Sequence, residues 1–258
     1  MLANQSPFWL KINGAWVHLD GVKPGIDLTP NRASSDFTSV DGVRWVQQAP
    51  KGPRDWSLSY EYATPDAVAA LAVAADIADD VWLLDTTLAQ ANMLAPADCF
   101  GSDPTALVLN CGGIPLRALD LSTGKTVTVP VRAGVTYYAR LWGGGEGASV
   151  GSVSYPGGSV ALTSSALYPD TWPDSWPQPE VAAPFTPTAD GDATISLSAG
   201  TATLSGLMLS QDILPETFMP GTSSPCQVSV GDASRTVNFA WPDQYSWADY
   251  TISVREVG

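Results

Sequence analysis

Apolar and polar positions alternate over short distances along most of this chain, and the alternation is broken every few residues by turn formers. Phe8–Leu19 alternates and breaks at Asn13-Gly14, a dipeptide that predicts a hairpin when it lies between two strand-like runs. Pro24-Gly25, Pro30-Asn31 and Asp41-Gly42 divide Gly21–Gly42 into turns around short extended pieces. Val43–Gln47 and Trp56–Tyr62 are predicted strands, the second with Trp56, Leu58 and Tyr60 on one face. One helix interrupts the pattern. Thr64 caps it, Pro65 suits its first position, Asp66 favours its N-terminal dipole end, and Val68, Leu71, Ala72 and Ala75 follow at helical spacing. Val81–Leu84 then reads as a buried strand, and Ala91–Cys99 as the exit from a first unit.

From Phe100 onward the predicted strands are short and regularly spaced. They are Ala106–Asn110, Leu116–Leu121, Thr126–Val131, Val135–Trp142, Val150–Tyr155, Ser159–Thr163, Thr194–Leu197 and Thr201–Met208. Short strands with a turn after each predict a β-sandwich, and their number favours a jelly roll. Ala166–Pro187 is rich in Pro and Trp and reads as a loop. Leu214–Gly221 leads the chain back, and Gln227–Val230, Thr236–Ala240 and Tyr250–Val257 close it. The expected fold is therefore mainly β. A β-rich unit with one helix, residues 1–98, is followed by a sandwich, residues 99–224, and by the last strands. The strand-forming run YTISVREVG would be an aggregation hazard if left unpaired.

Composition supports this picture. The 258 residues can bury a sizeable core, Gly (23) and Pro (21) are abundant, and only 15% of positions are charged, which argues against disorder and a helical bundle. A net charge of −14 argues against nucleic-acid binding through phosphates. Lys11, Lys23, Arg32, Arg44, Lys51 and Arg54 make up half of the 12 basic residues, whereas Leu141–Ser234 has none. The basic link Ala49–Arg54 is expected to be exposed, either as a hairpin loop or as a contact with an acidic partner or a neighbouring subunit. No apolar run reaches membrane-spanning length, and MLANQSPFWLK lacks the pattern of a signal peptide, so synthesis in a cytoplasm without membrane insertion is expected.

No catalytic motif stands up. Gly147–Gly151 matches G-x-S-x-G, but a strand-like run follows it, and the sole histidine, His18, lies far upstream and reads as a strand residue. Gly143-Gly144-Gly145 lacks the continuation of a phosphate loop. No feature selects a carboxylate pair for glycoside hydrolysis among the 26 acidic residues. The chain is read as a non-enzyme without a cofactor. Cys99, Cys111 and Cys226 lack metal-type spacing and are expected to be buried thiols, with a Cys99–Cys111 bridge left open.

Sugar recognition would use exposed aromatic faces beside carboxylates. The candidates are Trp142 next to the glycine run, and Tyr168, Trp172 and Trp176 with Asp170 and Asp174 in the Pro-rich loop. Each also has a plain structural reading, as packing or as the cap of a sandwich end.

Val135–Leu141 and TATLSGLMLSQDILPETFMPG resemble the carbohydrate-binding jelly rolls appended to bacteriophage tail proteins, with Gln211-Asp212 where that pattern has an acidic residue and Gly. GVKPGIDLTPNRASSDFTSVDGVRWVQQAPKGPRDWSLSYEYA, with the late YTISVREVG, is similar to distal-tail and minor tail proteins of long-tailed phages of actinobacteria. The resemblance implies a virion protein at the tail tip, a hexameric ring that joins the tail tube to the tip, other tail proteins as partners, and a galectin-like sandwich directed at a host cell-surface polysaccharide. It also implies that residues 225–258, with YTISVREVG, complete the N-terminal unit of residues 1–98, so that the sandwich of residues 99–224 is an insertion. In such a ring Lys51 and Arg54 could meet Asp76, Asp79 and Asp80 of a neighbouring subunit. By family habit the resemblance also implies a structural calcium, for which Asp190 and Asp192 flank a turn. Rival readings are a capsid or collar decoration protein and a free carbohydrate-binding module.

Overall fold

The structure, a computed structural model, describes residues 6–20, 28–30, 34–38, 41, 44–48, 52–60, 65–77, 80–143, 149–164, 180–200, 203–232, 234–241 and 244–257. In chain order the first elements are β1 (Phe8–Ile12), β2 (Ala15–His18), β3 (Leu28–Pro30), β4 (Ser34–Thr38), β5 (Arg44–Gln48), β6 (Arg54–Tyr60), α1 (Pro65–Asp76) and β7 (Trp82–Asp85). Next come α2 (Thr86–Ala89), α3 (Pro96–Cys99), β8 (Val108–Cys111), β9 (Ile114–Arg117), β10 (Lys125–Val131), β11 (Tyr137–Gly143), β12 (Ser149–Tyr155) and β13 (Gly158–Thr163). The last are β14 (Glu180–Phe185), β15 (Gly191–Leu197), β16 (Leu204–Gln211), β17 (Cys226–Val230), β18 (Ser234–Trp241) and β19 (Gln244–Glu256). The protein is mainly β, with several antiparallel sheets. Among the described residues no helix is long and apolar enough to cross a membrane.

The chain divides into two compact units. Met1–Asn13, Val17–Leu83 and Cys226–Gly258 form the first, and Gly14–Trp16 with Leu84–Pro225 form the second. Apart from the short stretch Gly14–Trp16, the chain enters the second unit inside β7, ahead of the boundary expected at Cys99.

In the first unit a sheet runs in the order β2-β1-β7-β17-β19-β6-β3, and β18 pairs with β19. The C-terminal strands thus lie at its centre. β19 is antiparallel to β6 over Tyr250–Arg255 and to β17 over Val254–Glu256. Alternation along β6 turns Trp56, Leu58 and Tyr60 inward, where they meet Phe8, Leu10, Val228, Val230, Ile252 and Val254. Burying a side chain of this size contributes about 1.5–3 kcal/mol.

α1 packs over β1 and β17, burying Ala67, Ala70, Leu71 and Ala74. The expected inward set was Val68, Leu71, Ala72 and Ala75. The helix is instead turned by about one residue, which leaves Ala72 exposed and Val73 45% exposed. A helix made almost wholly of Ala and Val is apolar all round, so periodicity cannot choose its inner face.

In the second unit, two sheets share one apolar core in a sandwich-like arrangement, with orders β10-β15-β12-β13 and β14-β11-β16; β8-β9 is a separate hairpin. Val127, Val129, Val153, Leu162 and Ile195 of the first sheet and Ala139, Leu141, Val181, Leu207 and Leu209 of the second are buried. Tyr155 stacks on Phe185 at 4.8 Å and Tyr137 stacks on it at 5.5 Å, linking the two sheets. β14 corrects the expectation that 166–187 is all loop. EVAAPF alternates cleanly, and Pro184 is tolerated because β14 is an edge strand.

β16 is buried along its whole length, on both faces. Its free edge is closed by backbone from outside the sheets, since the Met93 amide donates to the Leu209 carbonyl and the Leu119 amide to the Leu204 carbonyl. Asn92, fully buried, completes the seal. Its Oδ1 accepts from the Leu94 and Leu209 amides, and its Nδ2 donates to the Leu207 and Met219 carbonyls and to Cys99 Sγ. Gly206 has φ +68°, and a Cβ there would lie 2.6 Å from the Trp142 ring, so the strand bulges where only glycine fits.

Candidate interaction surface around helix α1

The rotation of α1 leaves a groove on each side of it. One, about 380 Å³, is lined by Ile12, Val17, Ala69, Ala70 and Val73 and is almost wholly apolar. The other, about 290 Å³, is lined by Val68, Leu71, Ala72, Ala75, Asp76, Asp232, Tyr250 and Ile252. All of these residues belong to the first unit. Asp76 ends α1, Asp232 follows β17, and Tyr250 lies on β19 opposite Tyr60, so three distant parts of the chain meet here. Sequence reasoning selected Asp76 but had no signal to join it to Asp232, because that needs α1 packed over β17.

The other residues expected at a subunit contact behave differently. Arg54 is a correction: it is not on an exposed loop but opens β6, is 2% exposed, and is paired with Glu256. Its Nε lies 2.9 Å from Glu256 Oε2 and its Nη2 lies 3.1 Å from Oε1, with the guanidinium over the Trp56 ring at 5.0 Å. A guanidinium held by both carboxylate oxygens has no reach toward a neighbour. Asp80 is exposed and accepts from the Trp82 indole at 2.7 Å. Lys51 and Asp79 lie outside the described residues.

Trp142 is also a correction. It is 2% exposed, covered by the Arg140 guanidinium at 4.6 Å and by the edge of Phe218 at 6.3 Å. Arg140 is itself held by the Pro215 carbonyl and by Glu180. The ring therefore presents no face for a sugar. Tyr168, Asp170, Trp172, Asp174 and Trp176 lie outside the described residues. The exposed outward positions of the four-stranded sheet include Thr126, Thr128, Ser152, Ser154, Ser159 and Thr163, which offer hydroxyls without aromatic rings.

Asp190 serves as a backbone clamp, one oxygen accepting from the Ala133 amide at 2.8 Å and the other from the Trp16 amide at 3.0 Å. Asp192 is exposed opposite Pro130 in the β10–β15 register. Among the described residues no group of three or more His, Cys, Asp and Glu converges. Ser149 of the G-x-S-x-G match opens β12, so a strand and not a helix follows it. His18 sits on β2 with Nε2 2.7 Å from the Ser6 carbonyl and Nδ1 2.8 Å from Asp20.

No family model matches the chain, and neither the curated proteins nor the solved structures contain a significant match to it.

Among the described residues, the groups with displaced pKa values do not converge on a reactive site. Burial pushes the Tyr60 and Tyr137 hydroxyls upward. Hydrogen bonds from Thr105 and Ser122 hold the exposed Asp103 and Asp120 below the usual carboxylate range. All three cysteines are free and buried, and burial pushes Cys99 and Cys111 up to about 11. The thiolate is the reactive form, so raised pKa and burial act together against reaction. At pH 7 a maleimide should leave Cys99 and Cys111 unmodified in the native chain while labelling all three in denaturant. Rapid native labelling, read by mass spectrometry, would show that these sites open.

Proposed function

We propose that the chain is a structural protein of a bacteriophage tail tip, of the distal-tail or minor tail kind. On this reading the first unit forms a ring with other copies, hexameric by analogy with the resembled proteins, and contacts other tail proteins. The sandwich-like unit is displayed toward a host cell-surface polysaccharide, with the segment around Trp172 and Trp176 as its contact. The observation that supports the reading best is the placement of β17 and β19 at the centre of the N-terminal sheet, with an entire sandwich-like unit inserted between β7 and β17. An insertion of that kind fits a protein with one unit for assembly and one for display. Its site of action would be the virion, without cofactor or catalysis.

The test is to label particles from cultures of the organism carrying the gene, using gold-tagged antibody against the purified chain. Label at the tail tip is expected. Label on the head or neck would replace the reading with a capsid or collar decoration protein. A free protein that binds polysaccharide and labels no particle would be a carbohydrate-binding module.

A further inference from the structure

The turn between β1 and β2 holds a position where the main chain can react with its own side chain. Asn13 is the only one of the six asparagines that glycine follows. Both turn residues are exposed. Nothing lies within 4 Å of where a Cβ on Gly14 would sit, so the space beside this peptide is open. At the other five asparagines the next residue carries a side chain that crowds the same approach. Two of them are also held in place: Asn92 by its five partners, and Asn110 by the Gly113 amide, which donates to its Oδ1 at 2.8 Å.

The chemistry needs only water. The Gly14 amide nitrogen attacks Asn13 Cγ, its proton departs with the side-chain nitrogen as ammonia, and a cyclic imide remains. Water then opens the imide at one of two bonds. Breaking the bond to Cγ gives aspartate. Breaking the bond to the main-chain carbonyl gives isoaspartate, with the chain rerouted through Cβ and Cγ. Either product carries a new carboxylate.

The fold holds the reaction back. Asn13 has φ +50° and Gly14 has φ +85°, the pair of positive angles that defines a type I′ turn. In that turn ψ at the first central residue is about +30°. Ring closure requires the Gly14 nitrogen on the same side of the Cα–C bond as Cβ, and this ψ places it on the far side. The hairpin must therefore open first. Its opening is a local event, because β2 has four residues and ends the order of the described sheet. Beside it, Ile12 and Val17 border a groove of about 380 Å³ instead of packed side chains.

We propose that Asn13 is a site of spontaneous deamidation gated by the β1–β2 hairpin, so that the chain keeps a lasting record of its opening. Isoaspartate adds one carbon to a loop with no spare length, and a hairpin modified in this way cannot regain its register. The assignment rests on the geometry of the turn and is independent of the tail-tip reading.

The experiment incubates the full chain in mildly alkaline buffer, native and in urea. Peptide mass spectrometry with electron-transfer fragmentation then separates isoaspartate from aspartate. In urea Asn13 should react ahead of every other asparagine and give both products. In the native chain it should react about tenfold more slowly or less, the factor set by an opening free energy of about 1.4 kcal/mol. Val17→Ala loosens β2 without touching the turn, so it should raise the native rate and leave the rate in urea unchanged. Gly14→Ala should slow the reaction in urea, where turn strain plays no part. Another asparagine reacting first in urea would overturn the site. Equal rates in both conditions, or a native rate that Val17→Ala leaves unaltered, would overturn the gate.

Discussion

Asn92→Ala should destabilise the second unit by about 3–5 kcal/mol, one of the largest effects of any single substitution in this protein. The loss is large because the side chain is fully buried and uses both ends of its amide. Removing it strands the Leu94 and Leu209 amides and the Leu207 and Met219 carbonyls where water cannot replace the lost partner. Each stranded group costs about 1–3 kcal/mol, partly recovered by relaxation. The effect is local to the edge of β16, so amide exchange at Met93 and Leu209 should quicken before the rest of the sandwich-like unit responds. Thermal unfolding followed alongside exchange separates the outcomes. An unchanged midpoint with protected amides would mean that the backbone seals this edge without the side chain. Because the chain has two units, the midpoint belongs to the transition that contains β16.

Glu256→Ala should cost the first unit about 3 kcal/mol, near the lower end for breaking a buried ion pair, since Glu256 keeps a solvent-facing side at 17% exposure. The carboxylate accepts from the Arg54 backbone amide as well as from its guanidinium, so one truncation removes three bonds from the start of β6. The pair itself need not be strongly stabilising, because removing two charges from water costs nearly what their attraction returns. Arg54→Met combined with Glu256→Leu should therefore recover most of the loss. Urea titrations of the single and double variants decide the matter. A double variant as unstable as the single one would show that the ion pair contributes in its own right.

Much of the fold could be read from local pattern because its signals are local. Asn13-Gly14 marked the β1–β2 hairpin, Thr64-Pro65 marked the start of α1, and the turn formers after Phe100 separated most of the sandwich strands. What could not be read depends on contacts far apart in the chain. The inner face of α1 was set by the sheet beneath it, since its own residues are apolar all round. β14 was hidden by the Pro and Trp around it, because an edge strand tolerates the proline that would exclude a central one. Trp142 and Arg54 looked exposed by their neighbours in sequence, yet Phe218 and Glu256 cover them from a distance. Asn92 had no sequence signal at all, because its role lies in five partners brought together by folding. The groove beside α1 was half visible, through Asp76, and its second carboxylate needed the packing of α1 over β17.

The order of strands in the first sheet has a consequence for synthesis. Before residues 226–256 leave the ribosome, the N-terminal strands of that sheet can form only two separate ribbons, β2-β1-β7 and β6-β3, because β17 and β19 are what join them. Every strand of the sandwich-like unit is complete by Gln211, so that unit can close first while the ribbons wait with open edges. Joining ends so far apart in sequence is slow. Newly made chains should pass through a state with one finished unit and one unfinished sheet, in which the edges of β7 and β6 are the surfaces most in need of protection.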